Sequence, residues 1–294
     1  MTVSDITSPD SARSSESGPA STPSEWGAHL VNLDAYFRRT GYTGPRTADL
    51  AVLTALHRAH LESIAFENVD VALGRGISLE LPDVQGKLVD AGRGGYCFEH
   101  NLLFAAVLEQ LGFPVTRLLA RVRRGRPGVR YRAHATLVVQ AEYRLWLCDV
   151  GFGDDGLIAP VPLEPGAEST VDGWTWRTVR QGDEWVLQAA RPDGWFDLYA
   201  FRTERHFPPD FEVSNFFTAH HESSTFTGRT VAMRYSDRMW HVLNDHRLVR
   251  HHADGRTEHT ELNADRIIAE LRGTFGLRLD DEDAHGLRRR HADA

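Results

Sequence analysis

The sequence predicts an α+β protein, on three observations. Up to residue 112 the apolar residues recur at helical spacing between Gly and Pro turns. Over 113–203 that period gives way to short Val-, Leu- and aromatic-rich segments of strand length. Over 204–280 strand-like segments alternate with turns and end in one amphipathic helix. No internal repeat interrupts this order.

The helical part justifies itself segment by segment. VNLDAYFRRTG (31–41) puts Leu33, Tyr36 and Phe37 on one face and stops at Gly41. TADLAVLTALHRAHLESI (47–64) repeats Leu50, Leu53, Leu56 and Leu61 behind an acidic start at Asp49. A shorter helix is expected over 84–91. CFEHNLLFAAVLEQLG (97–112) carries a stripe of Leu102, Leu103, Ala106, Val107 and Leu111 and ends at Gly112. The next segments, TRLLARVRR, HATLVVQ, RLWLCDV, TWRTVRQ, EWVLQAA and FDLYAF, read as an antiparallel barrel or sandwich. TVAMRYS and HRLVRHH read as strands, and ADRIIAELRGTFG as the closing helix. The ends are expected to lie outside the fold. Fourteen of the first 25 residues are Ser, Thr or Pro, too few apolar groups to offset the entropy of ordering, so 1–27 is expected to be a disordered tail. GLRRRHADA, within 281–294, is expected to be a frayed second tail.

Composition excludes several classes. Thirty-three basic against 41 acidic side chains give −8, which argues against nucleic acid as the main partner. No apolar run approaches the roughly 20 residues of a membrane span, and no basic start with an apolar stretch suggests a secretory signal, so a cytoplasmic protein is expected. Two cysteines, Cys97 and Cys148, cannot form a disulfide scaffold. They are core residues, a lone bridge, or reactive.

Chemistry concentrates at Cys97. In RGGYCFEHN (93–101) two glycines precede a cysteine at a helix start, where unsatisfied N–H groups and the positive dipole end favour a thiolate. Packing as a small hydrophobe is the commoner fate of a free cysteine. A nucleophile needs a base, and the base an orienting group. His134 heads the apolar strand HATLVVQ, and Asp149 sits among Leu145, Leu147 and Val150, where a carboxylate is costly unless paired. A turn-capping role before Gly151 is the plain alternative for Asp149. If the two strands pair, His134 and Asp149 come side by side. In HLESIAFENVD (60–70) a helix gives way to a turn, and Glu67 is placed to pair with Arg93 and hold the glycine turn. GFGDDG (151–156) matches a dinucleotide-binding glycine pattern, but Pro160, Pro162 and Pro165 exclude the helix it requires. His220–His221 and His251–His252 lack Cys or carboxylate neighbours at ligand spacing, so no metal site is expected.

With these segments in order, the chain resembles the arylamine N-acetyltransferases of bacteria. RGGYCFEHN looks like the family's nucleophile motif, HLESIAFENVD like its helix-end motif and LWLCDVGFG like its aspartate strand. LDAYFRRTGYTGP and FEVSNFFTAHHESSTF are similar to its start and to a later loop. The separations, 37 residues from Cys97 to His134 and 15 from His134 to Asp149, are close to the family's. The match runs from about residue 28 to about 280. The resemblance implies a helical domain (28–112) carrying the nucleophile, a β-barrel domain (113–203) carrying His and Asp, and an α/β lid (204–280), with the core shared by cysteine proteases and transglutaminases. It implies a triad of Cys97, His134 and Asp149 that takes acetyl from acetyl-CoA, as a substrate and not a resident cofactor, and passes it to an arylamine, arylhydrazine or N-hydroxyarylamine. It places Phe66 and Phe152 at the acceptor pocket, Gly153 and Phe226 among the residues that bind substrate or CoA, and Arg130, Tyr131 and Ala133 near donor and acceptor. ARVRRGRPGVRYR (120–132) supplies arginines for CoA phosphates. A monomer or homodimer is expected. Ala65 and Ala133 depart from the family, which has Pro before its Phe and often Thr before its His; Ala133 bears on acceptor range. Amide synthases that close ansamycin macrolactams share this triad and are the main alternative. A cysteine hydrolase and a non-catalytic binding module are the others.

Overall fold

The computed structural model describes residues 25–126 and 128–292. The first 24 residues, expected to be a disordered tail, lie outside these. Residues 25–27 belong to the fold instead: Trp26 packs edge-on against Phe211, ring centroids 5.0 Å apart, and lies under the Arg117 guanidinium at 4.7 Å.

The helical part follows its sequence signals. Helix α1 is Leu33–Thr40, capped by the Asn32 side chain accepting from the Ala35 N–H at 3.0 Å. Helix α2 is Leu50–Ser63, capped in the same way by Asp49 and the Val52 N–H at 2.9 Å. Then come strand β1 (Phe66–Glu67) and helices α3 (Val69–Ala72) and α4 (Leu81–Gln85). A π-helical turn, Gly86–Asp90, continues α4 where a single short helix was expected. Helix α5, Cys97–Gln110, is buried on every side from Cys97 to Leu108, not along one stripe. It lies between the other helices and the sheet, so every face meets a partner.

Eight strands form the next layer: β2 (Val115–Val122), β3 (Arg132–Ala141), β4 (Arg144–Cys148), β5 (Val161–Pro162), β6 (Glu168–Val171), β7 (Trp174–Gln181), β8 (Glu184–Arg191) and β9 (Gly194–Phe201). They pair antiparallel in the order β5-β4-β3-β2-β9-β8-β7-β6. Pro165 bridges Thr178, whose hydroxyl donates to the carbonyls of Pro162 at 3.0 Å and Glu164 at 2.9 Å, so the sheet nearly closes into a barrel. The two-residue period of β3 decides what faces where. Ala135, Leu137 and Val139 pack toward α5, while Val138 packs into the barrel and Thr136 hydrogen-bonds Tyr199 there. His134 shares that inner face.

The last part departs most from expectation. The segment expected as a loop around 211–226 is largely helix α6, Pro208–His220. Two prolines open it, and Phe211, Asn215, Thr218 and Ala219 bury one face. Strands β10 (Val231–Ser236), β11 (Met239–Asn244), β12 (Arg247–His252) and β13 (Thr257–Glu261) follow, then helix α7, Ala264–Gly273. Strand β1 adds to this sheet beside β10, pairing Phe66 with Met233 and Glu67 with Ala232. The turn expected at Phe66–Glu67 is thus an edge strand in a sheet built mostly of distant residues.

The fold also continues past 280. Helix α8, Asp281–His291, buries Ala284 and Leu287 against α7 and β12 residues, where a frayed tail was expected. Ionic contacts anchor it. Asp283 is buried and pairs with Arg93 at 2.9 Å and Arg75 at 2.6 Å. Arg93 in turn pairs with Glu67 at 2.9 Å. The chain's single lysine, Lys87, joins Asp70 at 2.7 Å and Glu99 at 2.8 Å. Burial opposes the Lys87 charge, but the carboxylates of Glu99, Glu67 and Asp70 outweigh it and hold the ammonium above the ordinary lysine range. Asp283→Ala removes one carboxylate from Arg93 and Arg75 while Glu67 and Asp70 still hold Arg93, so it is expected to cost on the order of 1–3 kcal/mol, the scale of lost charged hydrogen bonds. Urea denaturation of the variant beside the parent chain checks this.

Candidate active site

Cys97 is the first residue of α5, and it is buried. The Glu99 carboxylate accepts from the Tyr96 N–H at 2.9 Å and fixes the helix start. Before it, Glu67 accepts from the Gly94 N–H at 3.3 Å and from Arg93 Nε at 3.0 Å, so the Glu67–Arg93 contact expected from sequence is present and grips the glycine turn. The first-turn N–H groups of α5 have no intrahelical acceptor and point toward the cysteine end of the site.

His134 and Asp149 come together from neighbouring strands. The β3–β4 ladder ends at Leu137 opposite Cys148, so Asp149 is the first residue past it and reaches diagonally along the same face. Its Oδ2 lies 2.6 Å from His134 Nε2. With Nε2 committed to the carboxylate, Nδ1 is left for Cys97, whose Sγ donates to the carbonyl of Ala133, the residue before His134, at 3.9 Å. Burial pushes the His134 ring down, but the Asp149 charge, its hydrogen bond and Cys97 outweigh that and hold the ring up at about 10. Burial pushes Asp149 up, and His134, Asn101 and the Gly151 N–H together hold it below the usual carboxylate range. The other carboxylate oxygen, Oδ1, accepts from Asn101 Nδ2 at 3.0 Å and from the Gly151 N–H at 3.0 Å.

Gly151 lets this junction close. A Cβ there would stand 2.8 Å from Cys97 Cα and 2.9 Å from Asn101 Nδ2, so any side chain would push the chain after β4 off the start of α5. Cys148, the second free cysteine, is fully buried, and burial raises its thiol far above the ordinary range; it points into the helical core, away from the pocket.

Cys97 and His134 line a cavity of about 280 Å³, with Asp149 buried behind the ring. Of the residues implied for substrate, Phe66, Arg130, Tyr131, Ala133, Phe152 and Phe226 line it. The His134 ring meets Phe152 edge-on at 5.0 Å, and Phe66 meets Phe226 at 5.7 Å. Gly153 is not among the lining residues. At φ 82° it has no side chain, and it backs Met233, which does line the cavity. Sequence reading also missed Val231, Met233, Val242 and Asn244, contributed by β10 and β11, and Phe217 and Thr218 from α6. No local pattern marks these: the strand residues reach the site only through the β1–β10 pairing, and the α6 residues only through the packing of that helix against β3.

The arginine-rich stretch divides. Arg123 pairs with Glu184 and Asp197, and Arg132 with Glu204. Arg124 donates to the Asp154 carbonyl and lies over the Phe152 ring at 4.8 Å. Arg126, Arg130 and Arg229 line the cavity with no ion pair or side-chain hydrogen bond among the described residues. Aromatic and aliphatic walls, a cysteine with a histidine and a carboxylate behind it, and unpaired guanidiniums suit covalent acyl transfer from an anionic donor to a flat acceptor.

Known proteins resemble this chain over most of its length. A family model described as N-acetyltransferase matches residues 49–284. The arylamine N-acetyltransferase of Escherichia coli is 34% identical over 252 residues, 85% of this chain and 90% of its own. The arylamine N-acetyltransferase of Mycolicibacterium smegmatis is 36% identical over 260 residues, 85% of this chain and 94% of its own. Among solved structures, the enzyme of Nocardia farcinica superposes with a TM-score of 0.86 at 37% identity, covering 92% of this chain and 98% of that one. The Mycobacterium marinum enzyme in complex with CoA superposes at 0.85 and 33%, covering 89% and 99%. The chain is an acyltransferase that belongs to the arylamine N-acetyltransferase family.

Proposed function

We propose that this chain moves an acetyl group from acetyl-CoA through an acetyl-Cys97 intermediate to an arylamine, arylhydrazine or N-hydroxyarylamine. The observation that carries this reading is the Cys97–His134–Asp149 array at the wall of an aromatic cavity bordered by unpaired arginines. Arg126, Arg130 and Arg229 take the donor's phosphates, and Phe66, Phe152 and Phe226 hold the flat acceptor.

Cys97 Sγ, its proton held by His134, attacks the thioester carbonyl. The N–H groups at the start of α5 receive the developing oxyanion. Collapse breaks the bond to the CoA sulfur, which leaves with the proton from His134. An arylamine, already neutral at pH 7, then attacks the acetyl-cysteine and gives its proton to His134. The Cys97 sulfur departs, and the starting pair is restored. Asp149 stabilises the cationic ring and fixes its orientation throughout.

Donor and acceptor therefore react in separate half-reactions. Initial rates with acetyl-CoA and an aniline, varied together, are expected to give parallel double-reciprocal lines. Intersecting lines would show that both substrates must be bound at once and would overturn the covalent route.

A further inference from the structure

Asn101 stands one turn after Cys97 on α5 and is fully buried. Its amide ties α5 to β3 and to the segment that carries Asp149. Nδ2 donates to Asp149 Oδ1 at 3.0 Å and to the carbonyl of Ala135, the residue after His134, at 2.8 Å. Its own Oδ1 accepts from the Val150 N–H at 3.2 Å. One side chain thus ties the nucleophile helix to the histidine strand and to both sides of the aspartate. A buried amide leaves few other conformations that satisfy three such bonds.

The carboxylate geometry gives this contact a specific consequence. Asp149 Oδ1 is occupied by Asn101 Nδ2 and the Gly151 N–H, which leaves Oδ2 to face His134 Nε2 at 2.6 Å. We propose that Asn101 is a positioning residue for the acyl transfer: it fixes the rotation of the Asp149 carboxylate and holds Cys97 in register with His134. It does not touch the reacting atoms. Leucine or alanine at this position would leave Asp149 Oδ1 with one donor and the Ala135 carbonyl without this partner. The Asn101 hydrogen bond also helps keep Asp149 ionised, opposing its burial, so its loss weakens the hold on the His134 ring.

The inference rests on the covalent reading proposed above, and its test separates the two. The parent chain, mixed with acetyl-CoA in a single turnover, reports whether Cys97 acylates at all. Asn101→Ala then reports positioning. Its acylation rate is expected to fall about 10²-fold, the scale of a small misplacement of reacting groups, while half-saturation by acetyl-CoA changes less than about threefold. The His134 ring, followed by nitrogen NMR, is expected to lose its proton at lower pH than in the parent chain. A merely structural role would lower the melting temperature and leave that titration where it was. Asn101→Asp is the second variant, since it keeps the volume and the Val150 contact. It places a second carboxyl beside Asp149, so one of the two must take a proton. That proton restores a donor to Asp149, so the variant's activity relative to the parent is expected to rise as pH falls. A folded Asn101→Ala or Asn101→Asp with parental acylation rate and parental His134 titration would overturn the proposal.

Discussion

Replacing Cys97 by alanine is expected to lower acyl transfer on the order of 10⁴- to 10⁶-fold, the scale on which losing a nucleophile acts when its partners work as one unit. The fold should survive the change. Cys97 opens α5, but the helix is held by the Glu99–Tyr96 cap, the Lys87–Glu99 ion pair and the burial of Phe98, Leu102, Leu103 and Phe104. Far-UV circular dichroism and a product assay on the same preparation check both halves of this expectation. Transfer at more than about one per cent of the parent rate would mean that Cys97 is not the acyl carrier. Cys148 provides the matched control. It is fully buried in the helical core and its raised thiol has no route to the cavity, so Cys148→Ser leaves the half-reactions in place.

Asp149→Asn has the second large effect, on the order of 10⁴-fold in rate, because an amide cannot stabilise the cationic ring. It also takes away the largest of the effects that hold His134 up. The comparison lies within the same fold. His57 and His100 are as deeply buried as His134, and burial takes both down to about 4, whereas His134, with a carboxylate at 2.6 Å, stands at about 10. Without that carboxylate only Cys97 still opposes the burial penalty, so His134 in the variant is expected to titrate well below its value in the parent chain. The linkage to stability has a definite sign. The stabilisation from the raised His134 is complete below 6.5 and is lost as pH rises through 10. The stabilisation from the depressed Asp149 is present above 3.8 and is lost as pH falls. The stability gap between parent and variant is therefore widest between pH 3.8 and 6.5 and narrows toward 10. Urea melts across that range, with NMR titration of the ring, measure both consequences.

Sequence reading reached the elements whose signals are local. The apolar stripe of Leu33, Tyr36 and Phe37, the stop at Gly41, the acidic start at Asp49 and the Val- and Leu-rich run of β3 all act within a few residues. The cluster of Cys97, His134 and Asp149 was legible for a different reason. A cysteine after two glycines at a helix start and a carboxylate in an apolar strand are local anomalies, and each needs a partner elsewhere. What escaped was set by distant contacts. Helix α8 reads as a charged tail because Asp283 is held by Arg93 and Arg75, nearly two hundred residues or more away in sequence. Strand β1 reads as a turn because its ladder partner, β10, follows some 160 residues later. Met233 and Val242 reach the cavity only once that ladder forms. Helix α6 was missed despite Pro208 and Pro209, because its buried face is carried partly by Asn215 and Thr218. Asn101 lies inside the nucleophile motif, yet its role depends on Asp149 and Val150 arriving beside it.

The central claim is that Cys97 accepts the acetyl group before any amine is engaged. The most direct measurement is the intact mass of the chain after incubation with acetyl-CoA alone, followed by peptide mapping. A gain of about 42 Da, one acetyl group replacing one hydrogen, located on Cys97 and discharged by adding an arylamine, is the predicted result. An unmodified chain, or an acetyl group on any other residue, would contradict the account. An unmodified chain would also turn attention to the polyketide-releasing amide synthases that share this triad.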